Sequence, residues 1–443
     1  MYRWVGLGYP SILFLLKDKG ESHVSEKVDF KKEILAGLTS FFAVSYVIIV
    51  NSMILAEAGI KPELSVFGTI LISIIGCLAI GFIGKVPIVI TTGMGVNSFF
   101  TYTLVYSLKM SWQEALAASF CASLIYLVVA YTKLSQILIE AVPDSLKHAI
   151  TAGIGIFLVL VGLENGGIIV KGEHTFMELN SFQSPVLLLT LASLVITLFL
   201  FFKNVQGSFF IGIIITTILA NVLNLVPKAE TAFSLSEITN YPSIVGQLDF
   251  SHLFSVEFLL GTFSLAMILI FESMGLFNGL LPNLSDQEFK RAYRVNGLVM
   301  LFSSVLGTSP TIPAAESSTG IQQGGKTGRT AITVGLLFCV AFFAIPLLTY
   351  IPSSALAPVI IITGCLMMQN IQHLNLDDLS DWVPAFLMIV MMAFSMSISD
   401  GLAFGFVSYP LVKSFVGKAK EISKPMWLIS GFFLIYLIAK VWI

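Results

Sequence analysis

Pro310-Thr-Ile-Pro313-Ala-Ala-Glu316-Ser317-Ser-Thr-Gly320-Ile-Gln-Gln-Gly-Gly325-Lys326-Thr-Gly-Arg329 lies between two long apolar segments. The residue before each proline is pushed to extended geometry, so the stretch cannot start as a helix. Glu316 then opens a Ser/Thr/Gly-rich segment long enough for only a few helical turns. An acid on a broken segment among membrane helices is how secondary transporters build a site near the bilayer midplane. Earlier in the chain Pro87-Ile-Val-Ile-Thr-Thr-Gly93-Met-Gly95-Val-Asn97 has the same character. The two interrupted elements read as the two halves of one site.

The chain has 443 residues, 56% of them hydrophobic and 11% charged. Soluble domains carry roughly 25% charged residues, so this chain cannot cover itself with a polar surface, and the lipid bilayer is its solvent. A net charge of −2 argues against nucleic acid as a partner. Cys77, Cys121, Cys339 and Cys365 all sit in apolar segments and suggest neither a disulfide framework nor a metal site. The N-terminus has one short apolar run, Ile12 to Leu16, without a small-residue cleavage site. It reads as an interfacial stretch rather than a removed signal peptide.

A membrane-crossing helix needs about 20 mostly apolar residues. Spans therefore fall near 33–56, 64–84, 112–131, 147–165, 184–203 and 207–226, with the interrupted element 86–108 after the second. The second half reads 254–281, 292–308, the interrupted 310–326, 329–350 and 353–370. Two shorter segments, 383–398 and 400–417, split at Ser399-Asp400-Gly401, and 426–442 is a further apolar run. The expectation is an all-α polytopic membrane protein with about fourteen transmembrane elements. Lys85, Lys133, Lys147, Lys203, Lys290, Arg291, Arg294, Lys326 and Arg329 share one set of loops, against Lys61, Lys109, Lys171 and Lys228 in the other. The richer set belongs in the cytoplasm, with the N-terminus.

The halves resemble each other. Gly84-Lys-Val-Pro87 and Gly307-Thr-Ser-Pro310 each end a helix and start a broken element. Gly37 pairs with Gly261, and Val142-Pro143-Asp-Ser with Ile351-Pro352-Ser-Ser, all in the same order. An odd number of elements, seven, separates matching members, so the second copy is inverted. Inverted repeats with matching broken helices point to alternating access.

Ionisable residues inside spans are functional candidates. Glu272 is mid-span in Leu269-Ile-Phe-Glu-Ser-Met-Gly275, where a charge costs roughly 2.5–3.5 kcal/mol and must face protein or water. Glu316 starts its half-helix, where free N–H groups favour a carboxylate whether or not a ligand binds there. Gly95 and Asn97 offer uncovered backbone N–H groups and one amide at the opposed helix start. Asp400 reads as a turn acid, and His148, Glu164 and His373 as interfacial residues at span ends. Gly320 to Thr327 fits the phosphate-loop pattern, but that motif needs a preceding buried strand in an α/β domain. No nucleophile–base pair or metal cluster lies in the spans, and no soluble signalling domain is present, so neither an enzyme nor a sensor is expected.

Phe41-Phe-Ala43-Val-Ser-Tyr46-Val-Ile-Ile-Val-Asn51, Gly93 to Tyr102, Glu316 to Gly328, Val383 to Met392 and Asp400 to Tyr409 resemble the nucleobase/ascorbate transporter family, AzgA-like purine permease branch. The resemblance runs from about residue 30 to 417. It implies seven-plus-seven inverted repeats, with two broken helices preceded by short extended strands. It further implies a core domain at 33–131 and 254–350, a gate domain at 147–226 and 353–443, and a cytoplasmic or interfacial N-terminus at 1–32. A homodimer through the gate domain, a cell-membrane location and proton symport without other cofactors follow from it too. By position, Glu272 and Glu316 match the acids that hold the base and couple the proton. Asn97 and Gly95 match functional positions, Ala43 a first-helix pocket position and Ala315 a backbone donor, with Ser317 beside them. The chain departs from the branch at Leu269, where an acid is usual, at Glu272, which is lengthened, and at Pro313-Ala-Ala, where a tyrosine is expected. The function implied is proton-coupled uptake of a purine such as adenine, guanine or hypoxanthine. Uracil, xanthine, urate or a small anion on the same fold, or an uncoupled facilitator, are the alternatives.

Overall fold

Two three-residue strands meet at the centre of the molecule. In the computed structural model, which describes residues 29–132, 134, 141–172, 177–223, 225 and 235–440, β1 (Ile90–Thr92) pairs antiparallel with β4 (Thr311–Pro313). Ile90 lies opposite Pro313 and Thr92 opposite Thr311. Each strand follows a helix that ends near a left-handed residue, Lys85 at φ 61° and Gly307 at φ 74°. Pro87 and Pro310 then bar any return to helix, because proline lacks the N–H and its ring clashes with the preceding turn. The strands lead into half-helices: α4 (Met94–Ser98), which runs on in wider π-type turns over Phe99–Ser107, and α11 (Ser317–Gln322). Both strands are fully buried. Unpaired backbone at this depth costs several kcal/mol per group, and pairing the strands removes that cost. The broken helices with short strands before them are as expected from the sequence; that the strands bind each other is an addition.

Among the described residues, eight helices are long and apolar enough to cross a membrane by length and composition. α1 (Phe30–Val44) and α2 (Val47–Glu57) form one such span with a step at Ser45 and Tyr46. Around it and the crossed strands pack α3 (Pro62–Ala79), α5 (Trp112–Tyr131), α9 (Val256–Leu280), α10 (Asp286–Val305) and α12 (Gly328–Ala341). Ser111 and Ser285 open α5 and α10 with capping boxes closed by Glu114 and Glu288. A second set holds α6 (Asp144–Asn165), α7 (Pro185–Phe202), α8 (Ser208–Val222), α13 (Ser353–Met368), α14 (Leu379–Phe394) and α15 (Ile398–Phe415). There α6 lies against α13 and α14, while α13 lies against α6 and α7. That reciprocal exchange is what two inverted copies produce.

The C-terminal end differs from the expectation. α16 (Lys424–Ala439) has no counterpart in the first half among the described residues. Its Phe433 stacks on Phe406 of α15 at 5.1 Å and meets Phe263 of α9 at 5.5 Å. Asp400 is not a turn acid. Ser397 caps α15, so the helix begins before Asp400 and turns the acid inward. There Asp400 is 5% exposed and accepts from Tyr436 Oη at 2.6 Å and Lys440 Nζ at 2.5 Å. A small hairpin of β2 (Ile169–Val170) and β3 (Glu178–Leu179) is too short to leave a periodic signal. Residues 1–28, and with them most of the 1–32 segment, lie outside the described residues, as do Lys133 and Lys228.

Candidate functional site

The crossing of β1 and β4 brings the starts of α4 and α11 to one cavity of about 900 Å³. From the first set it is lined by Ala43, Tyr46, Thr91 to Gly95, Phe271, Glu272 and Ile312 to Glu316. From the second set come Thr151, Phe201, Phe209, Thr363 and Met367. The cavity therefore lies between the two sets. It reaches the surface past Asp144, Asn204, Gln206, Gln322, Gln323 and His373. Lys147 lines it too, and Lys203 adjoins Asn204 at the mouth.

Glu272, Glu316, Gly95, Ala43 and Ala315 all line this cavity. Glu316 occupies the N-cap position of α11, yet its side chain does not cap that helix. Instead Oε1 accepts a hydrogen bond from Tyr46 Oη at 2.5 Å. Glu272 comes from α9, and its buried Oε2 has no hydrogen-bond partner. It faces the first turn of α4: a Cβ added at Gly95 would stand 3.6 Å from both Glu272 oxygens and 2.9 Å from Ile154 Cγ2. Glycine there keeps the helix start open to the acid, where unpaired N–H groups favour negative charge.

Asn97 and Ser317 do not line the cavity. Both are 0% exposed and belong to the layer behind it. Ser317 Oγ accepts from Val89 N at 2.9 Å and donates to Ala314 O at 2.6 Å, tying the two strands' flanks together. Asn97 Oδ1 accepts from Ser309 Oγ at 2.5 Å, and Asn51 Nδ2 donates to Thr69 and Thr308 beside it. A short polar side chain at a helix start reads the same whichever way it points. These two point into the packing.

Other lining residues carry little signal in the sequence. Tyr46 sits in an apolar span and its partner is far away in the chain. His148 and His373, expected at the interface, line the cavity mouth with ring centroids 5.0 Å apart. They flank it because α6 and α13 run side by side there, and His148 Nδ1 lies 3.3 Å from Asn370 Oδ1. The phosphate-loop pattern is answered by the protein itself. Buried Glu33 of α1 accepts from the backbone N–H groups of Lys326, Thr327 and Thr330 and from Thr330 Oγ1. An internal carboxylate thus takes the amides that such a loop would offer to phosphate.

Comparison with known proteins agrees with this architecture. A profile of the Permease family matches residues 31–406. The chain is 40% identical over 385 residues to the nucleobase transporter PlAzg2 of Paenibacillus larvae, covering 86% of this chain and 77% of that protein. It is 34% identical over 417 residues to the guanine/hypoxanthine permease PbuO of Bacillus subtilis, covering 90% and 95%. The adenine permease AdeP of Escherichia coli is 30% identical over 440 residues, covering 98% and 97%. Among solved structures, the transmembrane domain of the cyanobacterial bicarbonate transporter BicA superposes with a TM-score of 0.62 at 16% identity, over 85% of this chain and 98% of that one. That likeness concerns the fold alone. With the family profile spanning most of its length, the chain belongs to the Permease family, beside its AzgA-like purine permeases.

Proposed function

We propose that this protein is a secondary transporter that takes up a purine nucleobase by proton symport and alternating access. The observation that carries the reading is one cavity holding two acids, Glu272 and Glu316, one on a long helix and one on a broken helix. A purine is a flat ring with N–H donors and ring-nitrogen acceptors along its edges and two apolar faces. Carboxyl oxygens suit the donors, and backbone N–H groups at two helix starts suit the acceptors. Phe271, Ile312 and Ala43 supply apolar cover. The relatives that bear purine names support the same substrate class.

In this reading Glu316 is the main ligand, with Ala315 offering its backbone N–H, and Glu272 is both ligand and proton carrier near Gly95. The first helix set is the moving core and the second the gate, which also serves as the surface for a homodimer. By the positive-inside rule we read the cavity's opening, beside Lys147 and Lys203, as the inward-facing state of a cell-membrane protein with a cytoplasmic N-terminus. One charge crossing per cycle draws about 2.3 kcal/mol from each 100 mV, nearly fiftyfold accumulation at about 1.4 kcal/mol per decade. Glu272 and Glu316 at the inner end of the cavity disfavour the small-anion alternative there, since like charges repel.

The test is uptake of radiolabelled adenine, guanine, hypoxanthine and uracil into cells lacking their own permeases, with and without a protonophore. Purine uptake that collapses with the protonophore is expected, and Glu316→Gln should abolish binding. Glu272→Gln should leave exchange but remove accumulation. Uptake of none of the purines, or full uptake by Glu316→Gln, would overturn the proposal.

A further inference from the structure

We propose that Tyr46 is a positioning residue that holds Glu316 ready for the ligand. This rests on the substrate-binding role given to Glu316 above. An acid at a helix start has a competing fate: it can fold back and bond the free N–H groups of its own first turn. Glu316 stands at that position, but its side chain does not cap the turn that follows it. The donor that draws it away is the Tyr46 phenol, 2.5 Å from Oε1. Tyr46 itself sits at the step between α1 and α2 and is 1% exposed. Its ring is held edge-on by Phe209 of α8, with centroids 5.5 Å apart at 89°, and Phe209 stacks in turn on Phe201. The phenol is therefore fixed by packing before any ligand arrives. A phenol has one hydrogen to give, so Oε1 stays an acceptor for Tyr46 and Oε2 is the oxygen offered to a purine N–H. Preorganisation of this kind lowers the cost of ordering the carboxyl on binding.

Tyr46→Phe keeps the ring against Phe209 and deletes only the hydroxyl. Initial rates of purine uptake in the intact protein should show KM raised about threefold to tenfold, the scale of ordering one side chain on binding, with Vmax within about twofold of the unaltered chain. A purely structural role of the ring predicts an unchanged KM for Tyr46→Phe and a defect only in Tyr46→Ala. As a second variant, Glu316→Asp withdraws the carboxyl from the phenol. It should raise KM similarly, and adding Tyr46→Phe to it should raise KM no further. An unchanged KM in Tyr46→Phe, or multiplicative effects in the double variant, would overturn the proposal. Absence of purine uptake by the unaltered chain would instead sink the function on which it rests.

Discussion

Asn165 at the end of α6 donates from Nδ2 to Glu57 Oε1 at 3.0 Å, joining the two helix sets on the face opposite the cavity mouth. Tyr102 Oη holds the other oxygen of Glu57 at 2.9 Å, and Tyr106 Oη bonds the Glu57 carbonyl at 3.1 Å. Beside them lies a second cavity of about 470 Å³, bordered by Val50, Met53, Ser353 and Ile360. If the sets move against each other, this bond opens whenever that face opens. Asn165→Ala removes one hydrogen bond, about 1 kcal/mol, and should shift the population about fivefold toward opening there. A cysteine placed at Ile360, which borders that cavity and is 4% exposed, should then react about fivefold faster with a membrane-impermeant maleimide. An unchanged rate would mean the bond does not hold the face shut.

Gly95→Ala places a methyl 2.9 Å from Ile154 Cγ2 and beside both oxygens of Glu272. Overpacking of this order costs about 1–3 kcal/mol. Purine affinity should fall roughly five- to a hundredfold, and Ile154→Ala in the same chain should restore part of it. Radioligand binding to purified protein measures both, and normal affinity in the single variant would show that the contact does not matter.

Ser317 belongs to the strand layer, so its loss should act on stability rather than recognition. Ser317→Ala leaves Val89 N unpaired in a buried place, a cost of about 1–3 kcal/mol. A lower melting temperature in detergent is expected, with KM for the purine unchanged. A raised KM without loss of stability would instead give Ser317 a direct part in binding.

His252 Nδ1 lies 2.5 Å from Glu114 Oε1, fastening the loop before α9 to the start of α5. That hydrogen bond holds the imidazole above its ordinary value. A raised histidine stabilises the fold fully below its unfolded pKa, near 6.5, and the contribution fades as pH rises through the folded one. Melting temperature should therefore decline as pH climbs from about 6.5 into the alkaline range, and His252→Gln should flatten that decline. Identical pH profiles would remove the pair from the account.

The broken elements were legible because proline and glycine act locally: Pro87, Pro310 and Pro313 bar helix wherever they stand. The acids were legible too, since a carboxyl in an apolar run is costly and therefore conspicuous. What stayed hidden depends on direction and distance. Tyr46 looks like any aromatic of an apolar helix until the chain returns with Glu316. Asn97 and Ser317 have the right chemistry at the right place but face the strands. His148 and His373 stand at span ends, and only the neighbouring course of α6 and α13 turns those ends into a cavity rim. Asp400 was misplaced because nothing local says that its partners, Tyr436 and Lys440, come from the last helix.

That last helix touches both sets. Tyr436 and Lys440 fasten it to Asp400 of α15, and Phe432 and Phe433 press on Phe263 of α9. The bonds to Asp400 are directional and travel with their own set, whereas ring contacts tolerate sliding. If the two sets slide past each other as proposed above, α16 stays anchored on one side and bears on the other like a guide rail.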